Sequence, residues 1–155
     1  MRRKDREITD KNAIENFIAQ EQILRIGFYD DGDIYIVPVN YGYSYNNGFY
    51  SFYFHGAKAG RKYELAKKHP VVGFEIDGKY QLLEGNAACD YSAFFQSVIG
   101  NGKLFLVEDI NEKITALNTI MRQTTKKEAW DYDRHMLETV AIFRIDVMNM
   151  SCKAR

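Results

Sequence analysis

The stretch His55-Gly56-Ala57-Lys58-Ala59-Gly60-Arg61-Lys62 holds the residue types whose spacing offers most chemistry. It follows an apolar, strand-like run and opens a helix-forming one. Backbone N–H groups at a helix start favour an anion, and glycines let a phosphate approach them. Lys58, Arg61 and Lys62 would add charge, and an arginine forks onto two phosphate oxygens. The spacing describes a phosphate cradle, and it equally describes a basic, solvated first turn. It is not a nucleotide P-loop. The glycines stand one residue too close for G-x-x-x-x-G-K-[ST], and Tyr63 occupies the place of a Mg²⁺-binding hydroxyl.

Two further segments are candidates. In Ile36-Val37-Pro38-Val39-Asn40 a proline interrupts a strand and removes a ladder donor. Pro38 is therefore expected at an edge or a bulge, where backbone groups stay free for a planar ligand or simply for solvent. In Gln96-Ser97-Val98-Ile99-Gly100-Asn101-Gly102-Lys103 the glycines predict a bulge or a close approach by another backbone or a ligand. No nucleophile elbow surrounds Ser97, and the third glycine of a dinucleotide fingerprint is missing. Cys89 and Cys152 have no ligand-like spacing to His55, His69 or His135, so no metal site is expected.

The elements that must position these residues follow from periodicity and turn chemistry. Thr9 and Asp10 can cap a helix with Ala13, Ile14, Phe17 and Ile18 on one face. Strands are predicted over Leu24–Tyr29 and Ile34–Tyr43, joined by Asp30-Asp31-Gly32-Asp33. Asn46-Asn47-Gly48 predicts a hairpin into Phe49–Phe54. A helix from about Gly60 to Lys68 should stop at His69-Pro70, where His69 suits the negative end of the helix dipole. Val71–Ile76 and Tyr80–Ala88 read as a strand pair turning at Asp77-Gly78. Val98–Val107 reads as a long strand, Asp109 to about Arg122 as a helix, and Thr139–Val147 as the closing strand. Six or seven hairpin-joined strands with two or three peripheral helices favour a barrel over a doubly wound sheet.

The totals agree. One domain spanning residues 1–155 is long enough for its own core, and 10 Phe with 11 Tyr suit a β-rich core or a ligand pocket. With 21 basic and 21 acidic residues there is no overall excess to bind nucleic acid, and the cluster Arg2, Arg3, Lys4, Arg6 reads as a solvated arm. No apolar run suits a signal peptide or a membrane span, so the chain reads as cytoplasmic, with reduced cysteines.

In their order along the chain, these segments resemble the pyridoxamine 5′-phosphate oxidase-like FMN-binding split barrels, and within them the nitroimidazole-resistance flavoproteins. The resemblance opens at Met1-Arg2-Arg3-Lys4-Asp5-Arg6-Glu7 and continues through Ile36–Gly42 and Phe54–Lys62. It closes with Ser97–Lys103 and Ser151-Cys152-Lys153-Ala154-Arg155. It departs at Cys152, where glycine is expected, and it lacks the substrate-phosphate clamp that vitamin B6 synthesis needs. The resemblance implies a mainly β fold, a split β-barrel with peripheral helices, and a homodimer with FMN in the interface groove. It places the FMN phosphate at Lys58, Gly60, Arg61 and Lys62. The isoalloxazine would lie along Pro38, Val39 and Asn40, near Phe54 and His55. Ser97 and Val98 would complete the pocket, with Trp130 as a late aromatic from the partner chain. It implies an FMN-dependent oxidoreductase that reduces small, electron-poor, nitroaromatic-like substrates, with His55 delivering a proton or orienting the substrate. The same groove also suits a non-catalytic flavin- or haem-binding protein, with His55 or His135 as the haem ligand.

Overall fold

Asp10 accepts a hydrogen bond from the Ala13 N–H at 3.0 Å and starts α1 (Lys11–Gln20), whose apolar face buries Phe17 and Ile18. The computed structural model describes residues 3–128 and 130–155, so Met1 and Arg2 of the opening segment lie outside the described residues, as does Ala129. Ahead of α1, β1 (Glu7–Ile8) is a short strand. β2 (Ile23–Asp30) turns through Asp31 and Gly32, both at positive φ, into β3 (Asp33–Asn40). β4 (Gly42–Asn46) turns through Asn47 and Gly48, again at positive φ, into β5 (Phe49–Ala57). Both turns need the left-handed backbone that Asn, Asp and Gly tolerate.

After β5 come α2 (Arg61–Lys68), β6 (Val71–Leu83), β7 (Ser92–Val107), α3 (Ile110–Thr125), α4 (Arg134–Thr139) and β8 (Val140–Ala154). All strands pair antiparallel in the order β3-β2-β6-β7-β8-β5-β4, and β1 adds to β8. The fold is a mainly β split barrel with peripheral helices. Among the described residues no helix is long and apolar enough to cross a membrane.

Three expectations need correction. The segment Ile34–Tyr43 is not one strand but two, because β3 pairs only with β2 and β4 only with β5. A single residue, Tyr41, joins these opposite edges of the sheet. The sheet must therefore curl until its edges meet at Tyr41, whose ring is fully buried and whose hydroxyl donates to the Ile18 carbonyl at 2.6 Å. The Asp77-Gly78 hairpin is absent. β6 runs straight through, since both of its halves pair with β7, and a bulge with Lys79 at positive φ absorbs the irregularity. The closing strand continues to Ala154, and α4 precedes it, capped by the Asp133 carboxylate.

The bulge expected near Gly100 and Gly102 is present opposite β8, between Asn101 and Gly102. Both glycines meet another backbone closely: an added Cβ would lie 2.3 Å from the Asn149 oxygen or 2.6 Å from the Asp146 oxygen. Cys152, in place of the expected glycine, is buried in the core opposite Val98.

Candidate functional site

Beyond Tyr53 the strand β5 has no β4 neighbour, so its last residues, including His55, present a free edge on that side. β3 is the other free edge, and the two strands lie in contact across the curled sheet. The split of the barrel thus runs between β3, which carries Pro38, and β5, which carries His55. Pro38 sits on an edge strand, as its missing N–H requires.

At the end of β5 the chain bends through Lys58 and Ala59 to Gly60, whose φ of +94° suits only glycine well. The Gly60 carbonyl accepts from the N–H groups of Tyr63 and Glu64 at 3.0 and 3.2 Å, and no side chain caps α2. The N–H groups of Arg61 and Lys62 have no acceptor among the described residues. The half-buried Lys62 ammonium lies 5.5 and 5.6 Å from the ring centres of Phe54 and Phe143. It has no carboxylate partner among the described residues, and burial pushes its pKa down. Gly56 makes room for it, since a Cβ there would stand 2.9 Å from Lys62 Nζ. Two open amides and a partly desolvated cation are groups that can receive an anion.

Arg61 is held differently. Its Nε donates to Asp30 Oδ2 at 2.7 Å, its Nη2 lies 2.5 Å from the same oxygen, and its guanidinium stands 4.6 Å from the Tyr35 ring centre. At the other end of α2, Lys68 Nζ and His69 Nε2 approach Asp31 at 3.1 and 3.3 Å, and His69 packs edge-on against Tyr29. The β2–β3 turn is strapped to both ends of the helix. Asp30 and Tyr35 were missed as site residues because the sequence shows the acidic turn only as a turn. The charge match with Arg61 and Lys68 was the available signal.

The remaining expected residues divide. Pro38 and Asn40 are exposed at the split, and Asn40 Nδ2 donates to the Gln22 carbonyl. Val39, Phe54 and Val98 point into the core, so they have only backbone to offer a ligand. Ser97 and Val98 are not brought to the cradle within one chain. Ser97 pairs with Lys153 on β8 whereas His55 pairs with Ile142, a separation on the order of 30 Å of extended strand. Trp130 stands in the α3–α4 connection under Lys127, and its buried Nε1 has no partner among the described residues. A cleft of ≈ 560 Å³ between α1, β4 and α3 has its cations already engaged. Lys11 pairs with Glu15, Arg122 with Glu128, and Lys126 with the carbonyls of Ala19 and Gln123.

His55 is exposed along one side, but its ring is partly desolvated, and this, followed by the nearby Lys62 ammonium, lowers its pKa. The imidazole is neutral at physiological pH and can accept a proton there. As pH falls through about 6.5, the unfolded chain takes up a proton that the folded imidazole resists, so stability drops until the folded pKa is passed. His55→Gln should therefore lose less stability than the parent between about pH 7.5 and pH 5, measured by urea unfolding at each pH.

Comparison with known proteins adds an independent line. The sequence profile described as pyridoxamine 5′-phosphate oxidase matches residues 10–154. No curated protein matches the chain. Among solved structures, a candidate 5-nitroimidazole antibiotic resistance protein from Bacteroides thetaiotaomicron is 30% identical with a TM-score of 0.83, over 96% of this chain and 86% of that one. The flavocytochrome Anf3 from Azotobacter vinelandii superposes with a TM-score of 0.81 at 19% identity, over 100% of this chain and 72% of that one. The FAD and haem binding protein from Mycobacterium smegmatis does so with 0.80 at 13% identity, over 96% and 73%. The last two are similar in fold alone.

Proposed function

Since the chain belongs to the pyridoxamine 5′-phosphate oxidase family, we propose that it is an FMN-binding flavoprotein that reduces small, electron-poor substrates such as nitroaromatics. The observation that carries this reading is the half-buried Lys62 ammonium, with no carboxylate partner among the described residues, on a helix whose first amides are open. A partly desolvated cation is stabilised when an anion answers it, and one helix start with its neighbouring cations suits a single terminal phosphate. That favours FMN over FAD. The likeness to the Bacteroides protein supports the substrate class.

In this reading the flavin supplies the hydride chemistry, and the protein supplies position and electrostatics. Lys62, Lys58, Arg61 and the α2 amides that follow Gly60 hold the phosphate. The free edges of β3 and β5 leave room beside Pro38 for a planar ring, and His55 holds or passes a proton at that edge.

The reading includes a homodimer. The outer face of β3, β2, β6 and β7 carries an exposed apolar patch beside the ion pairs of Arg25 with Glu75 and Asp77. Ile34 and Ile36 are 66% and 62% exposed, Val71 and Ile99 are 54% and 50% exposed, and Gly27 and Gly73 stand side by side between them. A face of this kind suits a second copy, which would bring Ser97 and Trp130 from another chain. Ile36→Lys should convert a dimer to a monomer in sedimentation, whereas a parent that already sediments as a monomer removes the dimer from the reading.

The deciding measurement is the visible absorption spectrum of the purified protein, followed by FMN titration and identification of the released cofactor. Flavin bands and FMN in the extract support the reading, and anaerobic reoxidation by a nitroaromatic extends it to catalysis. A Soret band would move the assignment to haem binding. A colourless protein that takes up no FMN overturns it.

A further inference from the structure

We propose that Asp30, the last residue of β2, is a positioning residue for the phosphate-binding turn, holding the Arg61 guanidinium ready for the flavin phosphate. The inference rests on the flavin reading of that turn. Asp30 Oδ2 accepts from Arg61 Nε at 2.7 Å and lies 2.5 Å from its Nη2, and the Tyr35 ring stands 4.6 Å from the guanidinium carbon. A hydrogen bond on one edge and a cation–π contact with Tyr35 restrain the group, while Nη1 has no partner among the described residues. The neighbouring carboxylate, Asp31, is engaged by Lys68 and His69 at the other end of α2, so Asp30 alone faces Arg61.

Arginine loses rotamer freedom when it grips a ligand, and a guanidinium already pinned loses less on binding. The opposing effect is repulsion between Asp30 and the phosphate. Arg61 stands against Asp30 and both side chains contact water, so that repulsion is screened. Positioning outweighs it.

The test compares FMN with riboflavin, which lacks the phosphate, by fluorescence titration of the full chain. Asp30→Asn should weaken FMN binding about tenfold and leave riboflavin within about twofold, shrinking the preference for the phosphorylated form. In an Arg61→Ala background the same change should have no further effect, because the cycle isolates coupling through Arg61. Tyr35→Leu keeps the carboxylate and removes the ring, and should weaken FMN about threefold with riboflavin again unchanged. FMN binding by Asp30→Asn as tight as the parent's, or tighter, overturns the proposal. So does an equal loss for riboflavin, or a loss that persists without Arg61. A parent chain that takes up neither flavin brings down the flavin reading itself, and the proposal with it.

Discussion

Lys62→Met is expected to weaken FMN binding by about tenfold or more while leaving stability within about 1 kcal/mol of the parent. The two halves of this expectation have separate causes. A charge-assisted contact to phosphate contributes about 1.5–3 kcal/mol, and about 1.4 kcal/mol is a factor of ten in affinity. The folded chain gains much less from the charge, because burial already depresses the Lys62 pKa and no carboxylate answers it among the described residues. What it does gain is contact with the Phe54 and Phe143 rings, which are stacked 4.6 Å apart with their planes 2° from parallel. Methionine keeps the length of the stem and packs its sulfur against those rings, offsetting the lost cation–π attraction. Flavin titration and urea unfolding of the same variant check both halves. An unchanged FMN Kd would put the phosphate somewhere other than the start of α2.

Much of this site was legible in the sequence because its signals are local. Gly60 before a run of helix formers, a proline in a strand, and Asn47-Gly48 between apolar runs each act within a few residues, and each is found as expected. The split itself was not legible. Ile34–Tyr43 keeps strand character throughout, and nothing in its pattern says that pairing passes from β2 to β5 at Tyr41. That change depends on the curl of the whole sheet. The same limit applies at Asp77-Gly78, where turn residues sit in a continuous strand because β7 is long enough to pair with both halves. Arg61 carries the sharpest lesson. Its type and spacing point to phosphate, yet its nearest partners, Asp30 and Tyr35, come from a hairpin some 30 residues earlier. Sequence spacing assigns a cation to a turn, and tertiary contact decides which way it points.

Gly42→Ala should lower the unfolding free energy by about 2–3 kcal/mol, among the larger effects open to a single methyl group in this fold. An added Cβ would stand 2.4 Å from the Thr119 carbonyl carbon and 2.5 Å from both the Thr119 oxygen and the Ile120 nitrogen. These are backbone atoms of α3, so no side-chain rotation can relieve the clash and the helix itself must move. Moving α3 disturbs Ile120 in the core and the two hydrogen bonds from Gln123 Nε2 to the Ile18 and Glu21 carbonyls, at 2.7 and 2.8 Å. Those bonds tie α3 to α1 immediately above Tyr41, the residue on which the sheet edges meet. Gly32→Ala is the control: its added Cβ meets nothing within 4 Å, but φ is +113°, so it should cost only about 1 kcal/mol, from backbone strain alone. Urea midpoints at an unchanged m-value measure both. If Gly42→Ala costs no more than Gly32→Ala, α3 is not packed hard against β4, and the meeting point at Tyr41 is looser than its buried hydroxyl implies. If it costs the expected amount and flavin affinity falls with it, the fit of α3 on β4 sets the width of the split.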